Sequence, residues 1–180
     1  KFFEADYIQP VSNDLVLIGT DTGKTVSVSK KDYTKVYHIY DYKLVTSTGK
    51  EISIGEQQEK EFYFNYYSDS VMVGDIAVLS SLRVIYNTKT DMLKKVSEDE
   101  NVKLRTTGGN YYAVTENDST TVYDGTGQQV MTVPYTSIDT SVLDTEGYAV
   151  VSKDSETVLS WRSKLENIVS DDPYIFCEIT

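Results

Sequence analysis

A chain of 180 residues with 39% apolar and 12% aromatic side chains is long enough to bury a core and too apolar to stay disordered. Its 17 basic and 28 acidic residues leave a net charge of −11, which repels phosphate backbones and argues against a nucleic-acid partner. The single cysteine, Cys177, rules out an internal disulfide, and no apolar run reaches the roughly 18 residues of a membrane-spanning helix.

No secretory signal is recognisable, but the chain starts at Lys1 without a methionine and reads as a processed or partial product, which leaves an upstream anchor open. The compartment is unknown, with an extracytoplasmic one weakly favoured. Tyrosine is abundant at 15 residues and proline scarce at three. With Val, Thr and Ile prominent, the bias suits half-buried strands, because branched and aromatic side chains pack well on a pleated surface.

The first apolar run, Leu15 to Ile18, leads into Gly19-Thr20-Asp21-Thr22-Gly23-Lys24 and then Thr25-Val26-Ser27-Val28. The pattern predicts a strand, a glycine turn and a second strand. Gly19 to Thr25 has the look of a phosphate-binding loop. However, only three residues separate its glycines where four are needed, and a strand rather than a helix follows, so it reads as a hairpin turn. Lys35 to Tyr40 is strand-prone and carries His38, the one histidine, which supplies too few ligands for a histidine-based metal site. No nucleophile-elbow pattern surrounds any serine.

A second hairpin is expected at Lys43-Leu44-Val45, Ser47 to Lys50 and Glu51 to Ile54. Gly55 to Glu61 reads as a polar loop or helical turn, and Phe62 to Tyr67 as a strand with Phe62, Phe64 and Tyr66 on one face. Val71-Met72-Val73 follows, then a turn at Gly74-Asp75. Ser97 to Asn101 is an acidic loop without the spacing of a calcium loop. Thr107 to Asn110 is a turn, Asn117-Asp118-Ser119 is a glycosylation triplet that chance explains equally well, and Gln129 to Val133 is a strand closed by Pro134. Asp144 to Gly147 is a turn, Ser163 to Val169 a short helix, and Tyr174 to Ile179 a final strand.

Across the second half runs a weak repeat. Ile76-Ala77-Val78, Tyr112-Ala113-Val114 and Tyr148-Ala149-Val150 recur every 36 residues. A second apolar run follows each: Val84-Ile85-Tyr86, Thr121-Val122-Tyr123 and Thr157-Val158-Leu159. Short strands and turns at a fixed period are the mark of radial or solenoid repetition. The expected fold is all-β, with antiparallel repeats of about 36 residues forming a small or partial propeller, and a β-sandwich as the alternative. One β-repeat domain covers 1–180, its N-terminal third irregular and its units clearer from about residue 71.

The units Gly109 to Val133 and Gly147 to Val169 resemble blades of β-propeller repeat proteins. Val122-Tyr123-Asp124-Gly125-Thr126-Gly127 matches best, as a strand ending in an Asp-x-x-Gly turn. The likeness covers about half the chain. It is to pyrroloquinoline-quinone-type repeat proteins and to an uncharacterised propeller-like family of Gram-positive bacterial surface proteins. The Trp-Asp dipeptide of WD-type blades is absent. The resemblance implies no quinone ligand, since many such propellers bind none.

Tyr63, Tyr66, Tyr67, Tyr111 and Tyr112 are the candidate binding residues, because tyrosine offers large contact area at small entropic cost. The expected function is a non-enzymatic module that contacts a protein or surface ligand, with no cofactor, metal or catalytic residue. The alternatives are a glycan hydrolase working through two carboxylates and a segment that completes a propeller in a larger assembly.

Overall fold

The computed structural model describes residues 4–29, 31, 33–58, 70–153 and 156–161, of which 153 and 156–161 are described by backbone alone. Among the described residues the fold is all-β, with antiparallel sheets and one short helix. The first sheet holds β1 (Tyr7–Ser12), β2 (Leu15–Ser29), β3 (Thr34–Thr46) and β4 (Glu51–Gln58). The second holds β5 (Ser70–Val73), β6 (Ile76–Leu79), β7 (Val84–Asn87) and β8 (Met92–Lys95). The third holds β9 (Lys103–Gly108), β10 (Tyr111–Glu116), β11 (Ser119–Asp124) and β12 (Gln129–Val133). In the fourth, β13 (Ser137–Asp139), β14 (Tyr148–Lys153) and β15 (Glu156–Trp161) follow, with α1 (Leu143–Glu146) between the first two. Each sheet is an up-and-down meander in chain order. The expectations for Phe62 to Tyr67, Ser163 to Val169 and Tyr174 to Ile179 lie outside the described residues.

Local chemistry accounts for the turns. Asn117 and Asp118 both have positive φ, 48° and 60°, so a two-residue turn of the primed kind joins β10 to β11 and matches their twist. Asn87 Oδ1 accepts the N–H groups of Lys89 and Thr90 at 3.0 and 2.9 Å, closing the turn into β8. After β11, Asp124 Oδ1 accepts from the N–H of Thr126, its hydroxyl, and the N–H of Gln128.

Three expected turns are otherwise. Gly19 to Lys24 is no hairpin turn: β2 runs through it, with an irregularity between Asp21 and Thr25 opposite β3. Side chains satisfy the bulged backbone there. Asp21 Oδ1 accepts the Gly23 N–H at 2.8 Å, and the Thr22 hydroxyl donates to the Ile39 carbonyl at 2.8 Å. Gly19 serves a close approach instead, since a Cβ would sit 2.9 Å from Tyr42 Cε1. Gly55 to Gln58 is not loop but the end of β4, entered through a bulge at Gly55 with φ 98°. Asp144 to Glu146 belongs to α1, which Gly147 ends in the left-handed conformation.

Three apolar seams lie between successive sheets. Leu15, Leu17, Tyr42 and Leu44 of the first sheet meet Ala77, Leu79, Val84 and Tyr86 of the second. Val73, Ile76 and Val78 of the second meet Leu104 and Tyr112 of the third. Tyr111, Ala113, Val122 and Met131 of the third meet Ile138, Leu143, Ala149 and Val151. The two inner sheets therefore bury both faces. This explains why β6 is buried at every position and why its sequence lacks polar alternation.

The repeat triplets fall on β6, β10 and β14, the second strand of each sheet, as the period requires. Their faces do not repeat. Ala77 points to the preceding sheet, Ala113 to the following one and Ala149 to the preceding one. A one-residue slip of a strand exchanges its faces, so the sequence period marks the strands but not their sides.

Each seam is also pinned at turns. The Asp75 N–H donates to the Gly125 carbonyl at 2.8 Å, where the β5–β6 turn meets the β11–β12 turn. The Thr140 N–H and hydroxyl donate to the carbonyls of Thr107 and Gly108, both at 2.8 Å. Lys50 of the first sheet pairs with Asp91 of the second, which also accepts the Tyr86 hydroxyl.

Gly74→Ala tests the second joint. Gly74 has φ 55°, and a Cβ there would lie 2.6 Å from the Gly125 oxygen. Denaturant unfolding should show a loss of about 2–3 kcal/mol. Gly49, with φ 82° and open space around it, should lose only about 1 kcal/mol as alanine. Equal losses would mean that the backbone contact contributes nothing.

Candidate functional site

The second and third sheets meet tightly at the inner end of their seam and leave a cleft of about 450 Å³ further out. Its volume falls in the range of about 300–1,000 Å³ typical of ligand clefts. One wall is Ile85 of β7 and Met92, Lys94 and Val96 in and just after β8; the other is Tyr112, Val114 and Glu116 of β10 with Tyr123 of β11. Thr126 and Gly127 close the end near the paired turns.

Strand alternation accounts for each of these side chains. Met92 and Lys94 share one face of β8, while Leu93 between them packs into the seam with the first sheet. Likewise Tyr112, Val114 and Glu116 share one face of β10. The Asn117-Asp118 turn sets a register in which Tyr112 lies opposite Tyr123. Their rings stack, with centroids 5.2 Å apart and planes 13° apart. Such a pair adds about 0.5–1.5 kcal/mol beyond its buried area. Tyr112 is 2% exposed and Tyr123 half-buried, so Tyr123 carries the accessible part of the stack.

The electrostatics are divided. Burial pushes the Tyr112 hydroxyl up to about 12, and the neighbouring Tyr123 and Asp124 add to it. Burial also raises the Asp124 carboxyl, but hydrogen bonds from the Thr126 hydroxyl and from the N–H groups of Thr126, Gln128 and Gly127 outweigh it. They hold the group below the usual carboxylate range. Lys94 and Glu116 stand on opposite walls, and neither has an ion-pair partner among the described residues. Among the described residues Glu116 is the one carboxylate lining the cleft.

Of the five tyrosines expected to bind, Tyr111 and Tyr112 fall among the described residues. Tyr63, Tyr66 and Tyr67 lie outside the described residues. Tyr111 and Tyr112, adjacent in sequence, point to opposite faces of β10. Tyr111 is 2% exposed in the seam with the fourth sheet, its hydroxyl bonded to Asp144 of α1. An exposed tyrosine face at this pair is therefore not formed. Of this pair, Tyr112 lines the cleft. Tyr123, Met92, Lys94 and Glu116 were not singled out as site residues from the sequence: the pairing of β10 with β11 sets Tyr123 beside Tyr112, but Met92 and Lys94 reach the cleft only through packing between sheets.

The other candidates are engaged locally. Lys24 pairs with Glu56 at 2.7 Å, and His38 Nδ1 lies 2.9 Å from Asp21 Oδ2 beside the β2 bulge. Asp99 Oδ1 accepts both the backbone and side-chain N–H of Asn101. Among the described residues no group of three or more His, Cys, Asp or Glu is placed to hold a metal ion. A smaller cleft of about 350 Å³ lies between the first two sheets, beside Asp14, Ser47, Met72 and Thr88. Tyr86 borders it with a hydroxyl already committed to Asp91. No helix among the described residues is long and apolar enough to cross a membrane.

Compared with known proteins, the chain matches no family model, no curated protein and no solved structure.

Two outcomes follow for the tyrosine stack. Tyr112 and Tyr86, each raised from an ordinary value of 10.0 to about 12, keep their protons in the folded state when the unfolded chain has lost them. Their stabilisation is complete below pH 10 and disappears as pH rises through 12. Urea midpoints should fall across that window, and Tyr112→Phe should flatten the fall; an unchanged slope would count against burial of that hydroxyl. Gly127→Val should lower the melting temperature, because Gly127 has φ 89° and its Cβ would meet Ile76 at 3.5 Å. Unaltered melting would remove Gly127 from the turn that closes the cleft.

Proposed function

We propose that this chain is a non-enzymatic β-repeat binding module whose ligand seats in the cleft between the second and third sheets. The supporting observation is the cleft itself: stacked Tyr112 and Tyr123 on one wall, Ile85 and Met92 on the other, and polar groups at the rim. Ligand sites are concave and set placed polar groups against apolar walls, and this cleft combines the two in nearly equal measure. Met92 strengthens the reading. It is 66% exposed and offers apolar surface that a ligand would cover.

The four meanders are read as successive propeller-like blades, given that neighbouring sheets pack face to face in chain order. Contacts of β1 with β5 and of β9 with β13 set the first strands of adjacent sheets side by side, as strands nearest a common axis would be. The ligand is a protein or a surface group. The net charge of −11 disfavours a phosphate-rich partner.

Methyl-labelled protein titrated with a diverse fragment set provides the test. Saturable shifts should concentrate on Ile85, Met92, Val96 and Val114. Shifts scattered over the surface, or none in the cleft, would overturn the assignment.

A further inference from the structure

Resting on the binding-module reading, we infer that the cleft recognises a protein segment that inserts one aromatic side chain, flanked by an acidic residue on one side and a basic residue on the other. The aromatic preference comes from the stack. Tyr112 is sealed into the core and holds Tyr123 nearly parallel to it, so the half-buried Tyr123 ring is already oriented. An inserted ring adds a further layer to an aromatic pair whose ordering was completed on folding, and little entropy remains to be lost on binding. Across the cleft, Met92 and Ile85 supply a flexible thioether and a branched chain that suit a flat ring.

The charge pattern comes from the rim. Lys94 projects from β8 and Glu116 from β10, on opposite walls, and neither is paired among the described residues. A partner with one charge at its anchor would satisfy one of them and face the other unscreened. A segment with an acid and a base astride the ring complements both, and peptide geometry separates those charges on either side of the anchor. The edge strand β8 does not invite strand addition: it is four residues long and ends in Lys94-Lys95, the usual means of blunting an edge. Side-chain insertion is the mode the cleft favours.

The test uses the intact chain and blocked tripeptides, acetyl-Glu-Trp-Lys-amide and its reverse, acetyl-Lys-Trp-Glu-amide, with Ala in place of Trp as controls. Shifts at Met92 and Ile85 give the affinity. One tryptophan peptide should saturate and its alanine control should not. Tyr123→Ala should weaken binding about tenfold, while Tyr123→Phe keeps it, since the ring and not the hydroxyl makes the contact. Lys94→Glu, at an exposed position that leaves the core untouched, should weaken binding several-fold, with recovery when the peptide's Glu is replaced by Lys. Binding that ignores Tyr123→Ala, or an alanine control as tight as the tryptophan peptide, overturns the inference. Non-aromatic fragments seating in the cleft while the peptides do not would defeat this inference and leave the binding module standing. No occupant of any kind would defeat both.

Discussion

The second and third sheets are set apart by a meeting of two backbones. At Gly74 the chain comes so close to the Gly125 backbone that a Cβ has no room, the Asn110 side chain crowds Gly125 itself, and the Asp75 N–H reaches the Gly125 carbonyl across the gap. Beside that contact Ile76 and Val78 pack with Tyr112 and Leu104. The cleft opens beside this joint, with Thr126 and Gly127 of the same turn in its lining. The glycine contact adjoins residues that line the cleft, so the turn chemistry is as much a part of the site as the tyrosines.

The same constraint explains why the seams differ. The two outer seams are backed by side-chain locks: Lys50 and Tyr86 on Asp91 in one, Tyr111 on Asp144 and Thr107 on Thr140 in the other. Those locks sit beside the Gly49 and Gly108-Gly109 turns and add side-chain contacts across their seams. The middle seam has the smallest buried cluster of the three, five residues against nine and ten, and it is where the larger cleft lies. An exposed salt bridge such as Lys50 with Asp91 contributes little energy, but it fixes geometry through a carboxylate that hydrogen bonds from Lys50 and Tyr86 hold below its ordinary range.

Strand identity could be read from the chain because strands are local. The repeated Ile-Ala-Val and Tyr-Ala-Val triplets marked β6, β10 and β14, and the runs at Val84, Thr121 and Thr157 marked the strands after them. Side was not readable from the period, since a single bulge or a loop one residue longer reverses which residues face a neighbour. Gly19 to Lys24 illustrates a second limit. Asp, Thr and Gly at those positions stabilise a bulge by the same side-chain hydrogen bonds that stabilise a hairpin turn, and only the long pairing of β2 with β3 distinguishes them. For the cleft, part of the signal was present. A two-residue turn at Asn117-Asp118 dictates that Tyr112 faces Tyr123, which makes the stack derivable from pairing alone. The opposite wall was not derivable, because Ile85, Met92 and Lys94 arrive there through packing between sheets.

Tyr112 couples the fold to the site. It is among the largest fully buried side chains, so it is anchored by the core, yet its stacked neighbour lines the cleft. A surface built from exposed tyrosines would lose side-chain freedom whenever a ligand bound. Here folding has already removed that freedom from Tyr112 and most of it from Tyr123. The arrangement gives up contact area, since one ring of the pair is hidden, and gains a rigid surface in return. The same economy extends along β10. Tyr111 locks the third sheet to α1, Tyr112 orders the stack, and Glu116 at the strand's end supplies a rim charge. One six-residue strand thus joins two seams and presents the cleft, and its alternation of faces keeps the structural and the binding contacts on opposite sides.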